Sequence, residues 1–359
     1  MAAAMATLDL VEWIRLVGPR FGVDDFRLYF GAARIGLIHG WTHIYDVGLQ
    51  RAAVEHLTLH TAWVPYLNPP VLAWLVAPFT YLPFPAAFAA WTFVMAGCLV
   101  GACLLVAPPG PLARVTYVLL ALGLFPVAWN LWSGQVAPLV ALGVAACVRL
   151  EREGHSVAAG AVLAVIVLKP QIAFLVPLAL LLSGHRRLFA SWLAATAMVL
   201  VASAASLGVI GIQTFLHDLS LAAGFPDQQR WSLLRLTGGG AAAWIAEAAV
   251  IGSVLALAWK RGGLAIPAAA ALVGSLLGSR YMNPQDLVVL AVAGGLLAAP
   301  GLRRWQICLL GAGWVAVELA QAVELPLLAA EVAALAALWV WERPSVAPPA
   351  ASQPALLPR

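Results

Sequence analysis

The feature that most narrows what this chain can become is a succession of long apolar runs almost free of charge. They lie at about 84–107, 114–131, 135–150, 156–168, 170–182, 187–212, 240–259, 264–280, 284–299, 303–322 and 325–341. A helix needs about 20 such residues to cross the hydrocarbon core of a bilayer. Hydrophobic residues make up 63% of the sequence and charged residues 10%, where a soluble domain carries about 25% charged residues. A spanning β-barrel would alternate apolar and polar residues along short strands. These runs are continuous and rich in Ala and Leu. The expected fold is therefore all-α, a polytopic transmembrane helical bundle of about eleven spans.

Three regions stand apart. Residues 1–69 carry many aromatic residues and His39, His43, His56 and His60; they read as an extramembrane segment with interfacial helices. Residues 70–341 form the transmembrane helical domain, opening on the short run 71–82 that Pro78 and Pro83 interrupt. Residues 342–359 are Pro- and Ala-rich and read as a disordered cytoplasmic tail. Within the domain, 213–238 reads as a polar loop. Residues 1–22 lack the apolar and basic regions of a signal peptide. Cys98, Cys103, Cys147 and Cys308 all fall in apolar runs without CxxC spacing, so they read as small hydrophobes.

The runs 156–168 and 170–182 are short and are joined only by Lys169-Pro170. Either both cross a thin region, or one broken helix dips in and returns. In the second case Lys169 sits at the tip, inside protein or facing a cavity.

Orientation follows from the excess of Lys and Arg in cytoplasmic loops. With the loop after 84–107 inside, the cytoplasmic loops hold Arg114; Arg149 and Arg152; Arg186 and Arg187; Lys260 and Arg261; Arg303 and Arg304; and Arg343. The opposite short loops hold little beyond Lys169 and the bordering Arg280. One extracytoplasmic face then collects residues 1–69, the stretch WNLWSGQ (129–135), Lys169, the 213–238 loop and Arg280 to Asp286. Net charge is +4, but the basic residues sit in these interhelical loops, so no nucleic-acid partner is expected.

Candidate residues cluster on that face. Asp24 and Asp25, followed by Tyr29, offer a carboxylate that can take a proton from an acceptor hydroxyl; either Asp can equally cap a helix. Tyr66-Leu67-Asn68-Pro69-Pro70 is a rigid turn with Asn68 available to a substrate. Lys169 is a cation at membrane depth, costly unless it has a task; snorkelling to the interface is the alternative. With Arg280 it could hold a phosphate, Lys as a point charge and Arg as a fork. Asn130, Ser133 and Gln135 lie beside Trp129 and Trp132, an arrangement that an aromatic belt also explains. Asp286 falls three residues after Asn283, where a first-turn carboxylate suits the helix dipole. The i, i+4 pairs His39/His43 and His56/His60 fall short of a metal ligand set. Glu247, Glu318 and Glu331 are intramembrane acids that could line the same cavity or pair with Arg280. No Walker A loop and no GxGxxG motif occurs. An outward-facing enzyme of this kind would draw on a lipid-linked or extracytoplasmic donor.

The ordered series Asp25-Phe26-x-x-Tyr29-x-x-Ala32-Ala33, Gly40, Ile44-Tyr45-Asp46, Asn68-Pro69-Pro70, Pro78, Leu82-Pro83, Trp91, Trp132-x-Gly134-Gln135, Gly160, Lys169-Pro170, the Arg187 region and Tyr281-x-x-x-x-Asp286-Leu287 resembles glycosyltransferase family 87. These are polyprenol-phosphate-mannose-dependent α-mannosyltransferases of the GT-C superfamily. The resemblance implies a GT-C-like bundle and an inverting transfer of mannose from a polyprenyl-phosphate donor. The acceptor would be a hydroxyl of a glycolipid or polysaccharide, outside a multi-pass cell-membrane protein. It implies Asp25 as general base with Asp24 as substitute, Lys169 and Arg280 at the donor phosphate, and Tyr29, Asn68, Gln135 and Asp286 as supporting residues. No cofactor and no metal is expected.

Two features depart from the pattern. GT-C proteins place a membrane helix ahead of the catalytic loop, which residues 1–22 cannot supply; either that helix is missing or Leu10–Val17 is an interfacial anchor. The pair Arg280-Tyr281 stands where small or Pro-His-like residues are expected. Two other classes fit the composition. A transporter or lipid-carrier flippase would show inverted repeats and midplane charges, and a non-catalytic scaffold would tolerate changes at Asp25 and Lys169.

Overall fold

The structure, a computed structural model, describes residues 25–55, 64–222, 240–298, 302–320 and 322–342, with Ala4, Thr7, Val11, Leu57, Trp231 and 233–238 besides. The anchor expected at Leu10–Val17 and the tail from Arg343 onward lie outside the described residues, apart from Val11. Every described element is helical. Leaving aside the five-residue helix Leu233–Thr237, the order of the α-helices is α1 (Asp25–His39), α2 (Val47–Val54), α3 (Pro70–Val76), α4 (Phe84–Val106), α5 (Pro111–Leu122), α6 (Phe125–Ser133), α7 (Ala137–Arg152) and α8 (Ser156–Leu163), followed by α9 (Leu175–Leu182), α10 (Arg186–Ala222), α11 (Gly240–Arg261), α12 (Ala265–Leu277), α13 (Leu290–Leu297), α14 (Arg304–Leu319) and α15 (Leu325–Leu338).

Among the described residues, three helices are long and apolar enough to cross a membrane: α4, α10 over Arg186–Ser220, and α11. The chain is a multi-pass membrane protein. The run expected as one span over 114–131 is instead the pair α5 and α6, bent by 63°. Gly123 ends α5, and Pro126, in the first turn of α6, lacks the N–H that would continue the earlier helix. A fourth crossing results if the bent pair counts as one. The other apolar runs form shorter helices, so the eleven expected runs are not eleven membrane-length helices. The loop expected over 213–238 is helical at its start, because α10 continues to Ala222; a bend at Gly208, with φ 59°, interrupts it.

The two short runs around Lys169 are separated by an irregular stretch. After α8 the chain tightens into a 3-10 turn over Ala164–Leu168, extends at Lys169 with φ −153° and ψ 72°, and makes a second 3-10 turn over Pro170–Ile172 before α9. The residue before a proline is pushed out of the α region by the pyrrolidine ring, which is why the break falls at this residue.

Packing separates helices of similar composition. Every residue of α12 except the half-buried Ile266 is buried, with α9, α11, α13 and α15 against it. Its alanines and Gly274 let neighbours approach closely; a Cβ on Gly274 would lie 2.4 Å from Val254 Cγ2. Helix α10 is the opposite case. Only 11% of its most apolar stretch is buried, and Met198, Val201, Val209 and Ile210 are exposed. Such a face belongs against lipid tails, since in water it would be a large uncovered patch. Helix α1 packs inward: Phe26 and Phe30 meet Phe84, and Phe26 also meets Phe88 and Trp91, at ring distances of 5.3 to 5.9 Å. This aromatic cluster fixes the first turn of α1, and with it Asp25, against the N-terminal part of α4.

Candidate functional site

Gly134 is where local backbone chemistry sets the site. It closes α6 in the left-handed conformation, φ 69°, which an L side chain avoids. A Cβ here would also lie 2.6 Å from Phe26 Cβ. Its carbonyl accepts from Trp91 Nε1–H at 2.7 Å, giving the buried indole the partner it needs. The next residue, Gln135, is thereby held between α1 and the break at Lys169.

Gln135 is a junction. Its Oε1 accepts from Lys169 Nζ at 2.7 Å and from the Tyr29 hydroxyl at 3.1 Å. Its Nε2 donates to Asp25 Oδ2 at 2.5 Å. The amide can face only one way: ammonium and carboxylate are donor-only and acceptor-only groups, so oxygen turns to Lys169 and nitrogen to Asp25. Lys169 also forms an ion pair with Asp286 Oδ1. Lys169 is 3% exposed and Asp286 is fully buried. The other Asp286 oxygen accepts from Asn283 N at 3.1 Å, so Asp286 both stabilises the start of its helical segment and holds the cation. Asn130, fully buried, donates through Nδ2 to the carbonyl of Gln285 at 3.2 Å, tying α6 to the segment that carries Asp286. Ser133 turns back to the carbonyls of Trp129 and Asn130.

Aromatic rings wall this network. Tyr29 lies edge-on to Tyr66 and Trp91, and Tyr66 stacks on Tyr45 at 5.8 Å. Tyr66 and Tyr45 donate to the carbonyls of Pro69 and Asn68 at 2.8 and 2.7 Å. Asn68 thus enters the wall through its backbone carbonyl. Burial, and next the Asp25 carboxylate, hold the Tyr29 phenol well above its usual range, so it donates as a neutral hydroxyl. Burial, then Asp25 and Asp286, push the Tyr281 phenol up as well, which puts Tyr281 beside the same two carboxylates.

Asp25, Tyr29, Gln135, Lys169 and Asp286, proposed from sequence, therefore meet in one connected set. Arg280 does not join it directly. Its guanidinium forks onto Glu247 at 2.9 to 3.0 Å and lies 3.2 Å from the centre of the Trp244 ring. Asp24, His56 and His60 lie outside the described residues, and His39 and His43 are exposed. Among the described residues no three His, Cys, Asp or Glu groups are placed to hold a metal ion. Sequence reading passed over Gln50, which is buried and joins the Ile44 carbonyl to the Tyr66 N–H. Its partners are backbone groups, which leave no mark in a sequence. Asp218, also passed over, is buried with neither oxygen bonded among the described residues.

A conserved-family model, glycosyltransferase family 87, matches residues 66–300. The chain belongs to glycosyltransferase family 87. No curated protein and no solved structure matches it. The range matched to family 87 takes in Asn68, Gln135, Lys169, Arg280 and Asp286 and begins after α1, so Asp25 and Tyr29 are tied to it by geometry alone. As a family 87 member the chain is a membrane glycosyltransferase, and it acts on a sugar donor and an acceptor.

Replacing Gln135 by Leu should lower stability by about 1–3 kcal/mol, the cost of stranding buried polar partners. Thermal unfolding in detergent measures it. An unchanged midpoint would mean that the junction contributes nothing to the fold.

Proposed function

We propose that this chain transfers a sugar, mannose, from a polyprenyl-phosphate donor to a hydroxyl of a glycolipid or polysaccharide, with inversion, on the extracytoplasmic face of the cell membrane. The observation that carries this reading is the single amide, Gln135, that joins the Asp25 carboxylate to the buried Lys169 ammonium. A general base and a phosphate-binding cation are the two groups such a transfer needs close together.

In this reading Asp25 takes the proton of the acceptor hydroxyl as its oxygen forms the new bond to the anomeric carbon. The bond from that carbon to the phosphate oxygen breaks on the opposite side, and polyprenyl phosphate leaves. Charge grows on the phosphate, and a fixed cation in a water-poor site stabilises it strongly. An ammonium has three N–H donors. Gln135 and Asp286 take two among the described residues, and the third serves a phosphate oxygen. Asp286 keeps Lys169 in place, and Tyr29 and Gln135 orient Asp25. Arg280, next to Tyr281, supplies a second cation once a phosphate competes with Glu247 for it. Asn68 and the tyrosine wall border the acceptor side. Asp24 is the substitute base. No metal or cofactor enters the scheme.

The wholly helical set of described elements supports a lipid-linked donor, because it contains no strand–loop–helix cradle for a nucleotide. The excess of basic residues in the loops opposite the site supports the outward orientation. With that orientation, residues 1–69 lie outside, 70–341 form the membrane domain and 342–359 form a cytoplasmic tail. The test is a choice of donors. Membranes containing the chain should transfer labelled mannose from a polyprenyl phosphate and not from a nucleotide sugar once the endogenous lipid carrier is exhausted. Equal transfer from the nucleotide sugar would overturn the donor assignment.

A further inference from the structure

A cavity lies away from the Gln135 junction. It encloses about 680 Å³ between α5, α13, α14 and α15, within the range of small-molecule sites. None of Asp25, Tyr29, Gln135, Lys169 or Asp286 lines it. Its wall is mostly apolar, with Leu124 and Ala334 among the residues that form it; Tyr117 and Trp314 on it donate to the Ala291 and Leu120 carbonyls, and Glu331 and Trp341 line it as well.

The three intramembrane acids have different fates. Glu247 pairs with Arg280. Glu318 accepts from the Phe125 N–H at 2.8 Å and caps α6. Glu331 is 3% exposed, and neither carboxyl oxygen has a hydrogen-bond partner among the described residues. The Trp341 indole N–H, equally buried, also lacks one. Buried polar groups are ordinarily hydrogen-bonded, and a carboxyl in apolar surroundings inside a membrane is expensive to leave alone. Two orphans of opposite kind, an acceptor and a donor, line one largely apolar cavity.

A simple hydrocarbon would fill the space and answer neither group. An ammonium would answer Glu331 only, having no acceptor for the indole. A hydroxyl both donates and accepts. We propose that this cavity binds a membrane-dissolved apolar molecule carrying a hydroxyl group, which donates to the Glu331 carboxyl.

The test uses the full chain in lipid nanodiscs with two labelled probes, 1-dodecanol and dodecane, corrected for uptake by empty nanodiscs. Saturable binding of the alcohol about ten-fold tighter than the hydrocarbon is expected, the worth of one hydrogen bond to the carboxyl. Glu331→Leu should bind both probes equally. Ala334→Phe, which keeps Glu331 and fills the space, should bind neither, and its unfolding midpoint shows whether it folds. Equal affinity of the unaltered chain for the two probes overturns the proposal without recourse to any variant. So does a preference that survives Glu331→Leu, or undiminished binding to Ala334→Phe.

Discussion

Asp25→Asn should lower sugar transfer by about 10²- to 10⁴-fold, the usual worth of a general base, with little change in stability. The two expectations go together because of what Asp25 touches. Asn has the same shape, and its carbonyl oxygen can accept the hydrogen bond that Gln135 Nε2 now donates to Asp25 Oδ2. The junction with Lys169 and Tyr29 is kept, and the packing of Phe26 against α4 is untouched. Only the ability to receive a proton is lost. The measurement is transfer of label from a polyprenyl-phosphate sugar in membranes, normalised to the folded amount of each variant. Asp24→Asn is the control and should retain most activity. Undiminished transfer by Asp25→Asn, or a loss confined to Asp24→Asn, would remove Asp25 from the mechanism.

Lys169→Met should have a double effect. Met matches the length of the Lys stem but leaves Asp286, fully buried, without its ion partner. Breaking a buried pair from one side costs about 3–5 kcal/mol, because the remaining charge is stranded. Transfer should be lost as well, since no cation is left beside the leaving phosphate. Stability and chemistry part in the double variant Lys169→Met with Asp286→Leu. Replacing both partners by apolar groups is often close to neutral, so most of the stability should return. Activity should not. Unfolding midpoints in detergent and transfer assays on the same preparations give the answer. A double variant that regains both would reduce Lys169 and Asp286 to a structural pair.

Much of this site was visible in the sequence one residue at a time. Lys169 stood out because a charge inside an apolar run is expensive and Pro170 breaks the helix beside it. Asp286 was marked by its place after Asn283-Pro284, and its capping role is real: Oδ2 takes the Asn283 N–H. What could not be read was that Oδ1 of the same carboxylate reaches Lys169. Gln135 shows the same limit. Its place beside Trp129 and Trp132 fitted an aromatic belt equally well, but its three partners lie 34, 106 and 110 residues away. Arg280 is the instructive difference. Three intramembrane acids were open to it, and it took Glu247, because α11 brings Glu247 and Trp244 together on one face, three residues apart.

The fold divides along the same line. The sequence by itself determined that this is a membrane protein of helices, since only helices satisfy every backbone group within a continuous apolar segment. It also marked a break at Lys169-Pro170, but not the one between Gly123 and Pro126, where 114–131 reads as a single run and the structure shows a 63° bend. The tertiary structure alone decided which helices face lipid and which face protein. The Ala- and Leu-rich α12 is buried on all sides, while the equally apolar α10 is exposed along most of its length. The reason is physical: lipid tails are as apolar as leucine, so no hydrophobic contrast marks one face from the other. For that reason the number of membrane-length helices, the company kept by Arg280 and the meeting of Asp25 with Lys169 had to come from packing.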